Sequence, residues 1–208
     1  MIRLIDLLRE IKSIDFLSNE EFQLLGDYLK GSLNKKDKTE LIQLVKRLQG
    51  IKSKHPELQP KQFNEAYRVD LLLINDIPVP LETLDVEYGG EKYGSLLGGK
   101  NSQFQMAKLD EIPFKSKSEL TGWTVDRDFA FEMLYDIARD NDFNKTVPAL
   151  YEIPFNKSEF IFDVDFLEKI RGDVSGFGYE GEVLRLGPNK NLKGYIVYTL
   201  DILPDIEY

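Results

Sequence analysis

The hydrophobic period of this chain changes near residue 58, and that change limits the folds open to it. Before it, the apolar residues recur at helical spacing. Leu4, Ile5, Leu8 and Ile11 fall on one stripe that Phe16 extends, with Arg9, Glu10 and Lys12 opposite, so a helix is expected over residues 3 to 17. Ser18 followed by Glu21 has the spacing of a capping box and opens a second helix through Phe22, Leu25 and Leu29 to Gly31. Asp37 and Glu40 repeat that spacing ahead of Leu41, Leu44, Val45 and Leu48, and Gly50 is expected to close a third helix. Amphipathic helices with short polar connections predict a small bundle whose apolar stripes pack on the rest of the chain. A partner or a membrane surface is the other use for such a stripe.

Ile51 to Pro60, with its lysines and prolines, reads as a linker. Beyond it the pattern is that of short strands. Tyr67 to Ile74 is one, stopped by Asn75-Asp76 and by Pro78 and Pro80. Gly89-Gly90 and Gly98-Gly99 mark loops, and they match neither a phosphate-binding loop nor a dinucleotide fingerprint. Leu120 to Val125 is a strand. Asp126 then caps a helix from Arg127 to Arg139 with Phe129, Ala130, Met133, Leu134 and Ile137 inward. Further strands are expected at Ala149 to Ile153, Phe160 to Phe162 and Gly194 to Leu200, with a helical turn from Phe166 to Ile170. The fold class is α+β. Residues 1–58 form a helical region and residues 59–208 a domain of short, mostly antiparallel strands.

Composition narrows the function classes. A net charge of −9 argues against a nucleic-acid surface, which needs clustered Lys and Arg. With no cysteine there is neither a disulfide framework nor a thiolate metal site. The single histidine, His55, precedes Pro56 in a Lys-rich stretch and reads as a solvated loop residue, not a general base. No apolar run has membrane-spanning length, and charge interrupts the N-terminus too early for a signal peptide, so a cytoplasmic protein is expected.

Three constellations carry chemistry. Tyr67-Arg68 places an aromatic and a guanidinium on the first strand. Thr121-Gly122-Trp123-Thr124 brings hydroxyls and an indole to a strand that runs into a helix. Phe177-Gly178-Tyr179-Glu180-Gly181-Glu182 follows the glycine-rich Arg171 to Gly176 and leads into Val183, Leu184 and Leu186. On a strand, the period of two sets Glu180 and Glu182 on one face. Each has a plainer reading: Arg68 as a strand arginine paired with a surface carboxylate, Trp123 as core, the two glutamates as a solvated strand end.

Taken in order, the three features resemble the mono-ADP-ribosyltransferases of the Arg-Ser-Glu class, over about residues 62 to 200. Leu150-Tyr151-Glu152-Ile153 and Glu182-Val183-Leu184 also look like that family. The resemblance implies a split β-sandwich, NAD as co-substrate, no metal, and a protein acceptor modified on arginine. It gives Glu182 the stabilisation of oxocarbenium charge on the ribose as nicotinamide leaves, a role akin to that of carboxylates in glycoside hydrolysis. Arg68 would hold the pyrophosphate through its guanidinium fork. Tyr67 and Thr124 would contact the cofactor, Trp123 would pack beneath the site or near the nicotinamide, and Thr124 would also hydrogen-bond and orient Glu182. Glu180 would engage the acceptor guanidinium, and Phe177 and Tyr179 the target surface. Gly122 stands where the family usually has its first Ser, and Val69 where Gly is frequent. Gly122 favours one alternative, a non-catalytic interaction or virion-associated module that keeps the fold; another is an NAD glycohydrolase that uses the same Glu182 and Arg68 without a protein acceptor. Small acidic members of this kind are often bacteriophage proteins, effectors or toxins, acting in the cytoplasm of a host cell or carried in a virion.

Overall fold

Capping and strand pairing set the architecture, which is α+β. The computed structural model describes residues 16–29, 33–55, 63–80, 97, 102–116, 120–156, 159–163, 182–186 and 190–199. The helix expected over residues 3 to 17 lies outside the described residues but for its last two positions. So do the loops at Gly89-Gly90 and Gly98-Gly99, the turn at Phe166 to Ile170 and the glycine loop at Arg171 to Gly176. The chain divides into two compact units, Met1–Lys61 with Lys157–Leu186, and Gln62–Asn156 with Gly187–Tyr208. The breaks at Asn156 and after Leu186 have no counterpart in the two-part division read from the sequence.

In the first unit, helix α1 spans Asn19–Leu29 and α2 spans Lys35–Ile51. The capping box forms: Ser18 N–H donates to Glu21 Oε2 at 2.9 Å, and Glu21 N–H to Ser18 Oγ at 3.2 Å. Leu17 and Phe22, at the two staple positions around that box, are both buried. Helix α2 starts earlier than its acidic spacing suggests. Asn34 is the N-cap, its Oδ1 accepting from Lys36 N–H at 2.9 Å and Asp37 N–H at 3.1 Å, so Asp37 sits in the first turn. Nor does Gly50 end the helix, which runs to Ile51. The stripe Leu41, Leu44, Val45, Leu48 is buried as its spacing requires.

Arg47 of α2 reaches the start of α1, donating to Phe16 O at 2.9 Å and to Glu21 Oε1 at 2.7 Å. His55 is half-buried against the Phe16 ring, centroids 4.6 Å apart, and is not the solvated residue expected. Strands β5 (Phe160–Asp163) and β6 (Glu182–Leu186) pair antiparallel in this unit. Arg185 of β6 is buried and donates from Nε and Nη2 to Glu159 Oε2, at 3.0 and 2.8 Å.

The second unit holds β1 (Glu65–Leu73), β2 (Phe104–Phe114), β3 (Leu120–Thr124), helix α3 (Arg127–Asp140), β4 (Thr146–Pro154) and β7 (Lys190–Thr199). Their order is β2-β7-β4-β1-β3, with every pairing antiparallel. Val147 to Tyr151 of β4 are all buried, which marks a strand covered on both faces. Strand β2 is not announced by its sequence. A bulge between Leu109 and Ile112 breaks its alternation, and Pro113 is tolerated because β2 stands at one end of the order.

Asp126 caps α3, its Oδ1 accepting from Phe129 N–H at 3.0 Å. The buried residues of α3 are Ala130, Phe131, Leu134 and Ala138. The inward face is therefore rotated from the expected one: Met133 is exposed and Phe131 takes its place, edge-on to Tyr195 at 5.5 Å.

Gly194 of β7, the register partner of Tyr151, leaves no room for a side chain against β4. A Cβ built there would lie 1.9 Å from Leu150 O, a backbone atom that cannot yield without shifting the strand. Gly194→Ala should therefore cost roughly 3 kcal/mol, as forced overpacking does. A thermal melt lowered by several degrees is expected, and an unchanged melting temperature would show that β7 does not pack this tightly.

Candidate functional site

The residues singled out on β1 and β3 are brought together, but from opposite faces. Tyr67 is the register partner of Thr124, so these two share a face. Arg68, one residue on, turns to the other face and is paired across β4 with Tyr151. There the Phe114 ring lies 6.0 Å from the Arg68 guanidinium, 5.0 Å from Tyr151 and 5.6 Å from Trp123. Tyr67 with Thr124 and Arg68 with Trp123 are thus two pairs that do not converge from one side.

Each side chain has a definite environment. Arg68 donates from Nε to Asp70 Oδ2 and from Nη1 to Gly122 O, both at 2.7 Å, and so binds β1 to the backbone of β3. Trp123 is 1% exposed, and its Nε1–H donates to Thr121 Oγ1 at 2.8 Å. Burial this deep leaves the indole no face for a cofactor; it packs beneath the strand. Thr121 points with Trp123 and so leaves the hydroxyl missing at Gly122 unreplaced. Thr124 is buried, and its Oγ1 accepts from Asp126 N–H at 3.0 Å, closing the turn into α3. Glu182 is the first residue of β6; its side chain, like Glu180, Phe177 and Tyr179 entirely, lies outside the described residues.

Tyr67 is buried and donates from its hydroxyl to Glu65 Oε2 at 2.6 Å. Its pKa is raised, first by burial, then by the bond to Glu65 and the charges of Glu65 and Glu152, with Arg127 opposing. Burial also raises Tyr151, helped by Asp70 and opposed by Arg68. A phenol whose folded pKa exceeds its unfolded value of about 10 adds stability that is complete below that pH and is lost above it. Stability should therefore fall as pH rises past about 10, and tyrosinate absorbance should lag in the folded protein by these two rings and by Tyr198, which burial also raises. Tyr67→Phe should flatten the alkaline fall; an unchanged slope would contradict this account.

Where β1 begins, β3 ends and α3 starts, Phe63, Asn64, Glu65, Tyr67, Val125 and Arg127 line a cavity of about 340 Å³. Sequence reasoning missed all of these but Tyr67. The available signal was Glu65 two residues before Tyr67 on one strand face, and an arginine directly after the cap Asp126. In the first unit a groove of about 770 Å³ lies between α1 and α2, with Glu20, Asp27, Asp37 and Glu40 around Leu24 and Leu44. No group of His, Asp or Glu among the described residues is arranged to hold a metal ion, and no described helix is long and apolar enough to cross a membrane.

Comparison with protein-family models, with curated proteins and with solved structures finds no match to this chain.

Proposed function

We propose that this chain is an NAD-dependent mono-ADP-ribosyltransferase of the Arg-Ser-Glu class, releasing nicotinamide and modifying a protein acceptor on arginine. One observation carries the reading: the Arg68 guanidinium bonds at 2.7 Å to the carbonyl of Gly122, so the first two motifs, far apart in sequence, meet on neighbouring strands. A split β-sandwich with residues 1–58 as a helical appendage is the finer fold that goes with it. Cytoplasmic action in a host cell belongs to the same reading.

The described bonds of Arg68 use one N–H each of Nε and Nη1, so both N–H groups of Nη2 remain for a pyrophosphate oxygen. NAD supplies the bond to be broken. Glu182 is assigned the carboxylate that opposes charge on the ribose, and Glu180 the acceptor guanidinium. Trp123 supports the strand from the core.

A second reading, a non-catalytic interaction module, is favoured by a different fact. Arg68 is already held by Asp70 and Gly122, and Thr124 occupies the opposite face. Nicotinamide release and labelled-protein formation, measured with and without cell lysate, separate the two. The transferase reading expects release that falls about a hundredfold in Glu182→Gln, the usual effect of losing one transition-state electrostatic partner. Glu180→Gln should spare NAD cleavage and reduce protein labelling. Wild-type protein that releases no nicotinamide under either condition would leave the non-catalytic module.

A further inference from the structure

We infer that the cavity at the head of β1 is a binding site for a small zwitterion of the α-amino-acid class, a free amino acid or dipeptide, whose ammonium meets Glu65 and whose carboxylate meets Arg127. Both charges line the same space of about 340 Å³. Among the described residues neither is in an ion pair, with the other or with anything else. Their described contacts instead hold them in place. Glu65 accepts the Tyr67 hydroxyl at 2.6 Å through Oε2, which leaves Oε1 for a ligand N–H. The Arg127 guanidinium, exposed to solvent, lies 4.8 Å over the Phe131 ring, a contact that restrains the side chain without neutralising it.

Each end is exposed at the mouth of the cavity and restrained by one contact, which lowers the entropy lost on binding. A simple anion would meet Glu65, and a simple cation Arg127; a ligand carrying both charges satisfies both. Phe63, itself held edge-on by Phe155 at 5.4 Å, and Val125 supply apolar wall for a side chain. Asn64 adds an amide able to donate and to accept. The cavity exceeds a single amino acid's own volume, so it has room for a large side chain or a second residue. This inference does not depend on the transferase reading, since none of its tests involves NAD.

Isothermal titration calorimetry on the full chain decides it, with phenylalanine, leucine and phenylalanyl-alanine as probes and N-acetylphenylalanine and phenylalanine amide as single-charge controls. Saturable heat is expected for the amino acids or the dipeptide, with affinity roughly tenfold lower for each control, the scale of one charge-assisted hydrogen bond. Glu65→Gln should bring phenylalanine down to the level of its N-acetyl form, and Arg127→Gln down to that of its amide, with circular dichroism showing both variants folded. No saturable heat with any zwitterion at millimolar concentration overturns the inference. So does equal binding of zwitterion and controls, or binding that both variants leave unchanged.

Discussion

The ladder between β1 and β4 fixes the second unit. Every residue from Glu65 to Leu73 is paired, against Pro154 back to Thr146, without a bulge. Because strand side chains alternate with a period of two, this register decides the face of each β1 residue at once. A slip by one that turns Ala66 and Leu72 outward would drive Tyr67 and Leu73 into the sites they leave, a phenol into the space of an alanine methyl. The slip is further opposed by β4, whose residues Val147 to Tyr151 are buried on both faces. Hence the adjacent pair Tyr67-Arg68 cannot serve one site from one side: Tyr67 belongs with Thr124 and the Glu65 carboxylate, Arg68 with Phe114, Tyr151 and Asp70.

What was legible in the sequence is what depends on neighbours along the chain. The Ser18–Glu21 box, the Leu41 to Leu48 stripe and the Asp126 cap involve residues within a turn or two, and all three form. Asn34 was overlooked because Asp37 and Glu40 offered a rival spacing. An asparagine oxygen that takes two backbone N–H groups sets the start of α2 more firmly than a carboxylate inside the first turn. On α3 the apolar residues nearly encircle the helix, so periodicity alone could not choose the inward face. The ring of Tyr195, brought in by β7, selects Phe131 over Met133. Strand β2 escaped for a related reason. Its bulge at Asp110-Glu111 is compatible only with a partner strand that sequence reading does not see.

The candidate site divides along the same line. Residue types in order could be read: an aromatic-arginine pair, a hydroxyl strand, paired glutamates. Which of them face one another could not, since that depends on register between strands dozens of residues apart. The cavity lined by Glu65 and Arg127 was illegible for a stronger reason. It is assembled from the ends of a strand, a turn and a helix, and none of those ends carries a recognisable spacing.

Arg68 shows how one side chain can be asked for two things. As a structural group it joins β1 to β3 and neutralises Asp70, and both contacts consume positive potential. As a phosphate ligand it would have to project that potential into a site, within a chain whose net charge is −9. Charges more than about one Debye length away are screened at physiological salt, so the overall acidity matters less than the carboxylate bonded directly to the guanidinium. Asp70 is 42% exposed, more than Arg68 at 26%, so its charge is the better solvated of the two. Water therefore weakens the Asp70 side of the pair more than the Gly122 side, where the acceptor is a backbone carbonyl that cannot move away. A pyrophosphate oxygen taken by Nη2 would displace neither the Nε bond to Asp70 nor the Nη1 bond to Gly122, so the link between the two strands would survive its arrival.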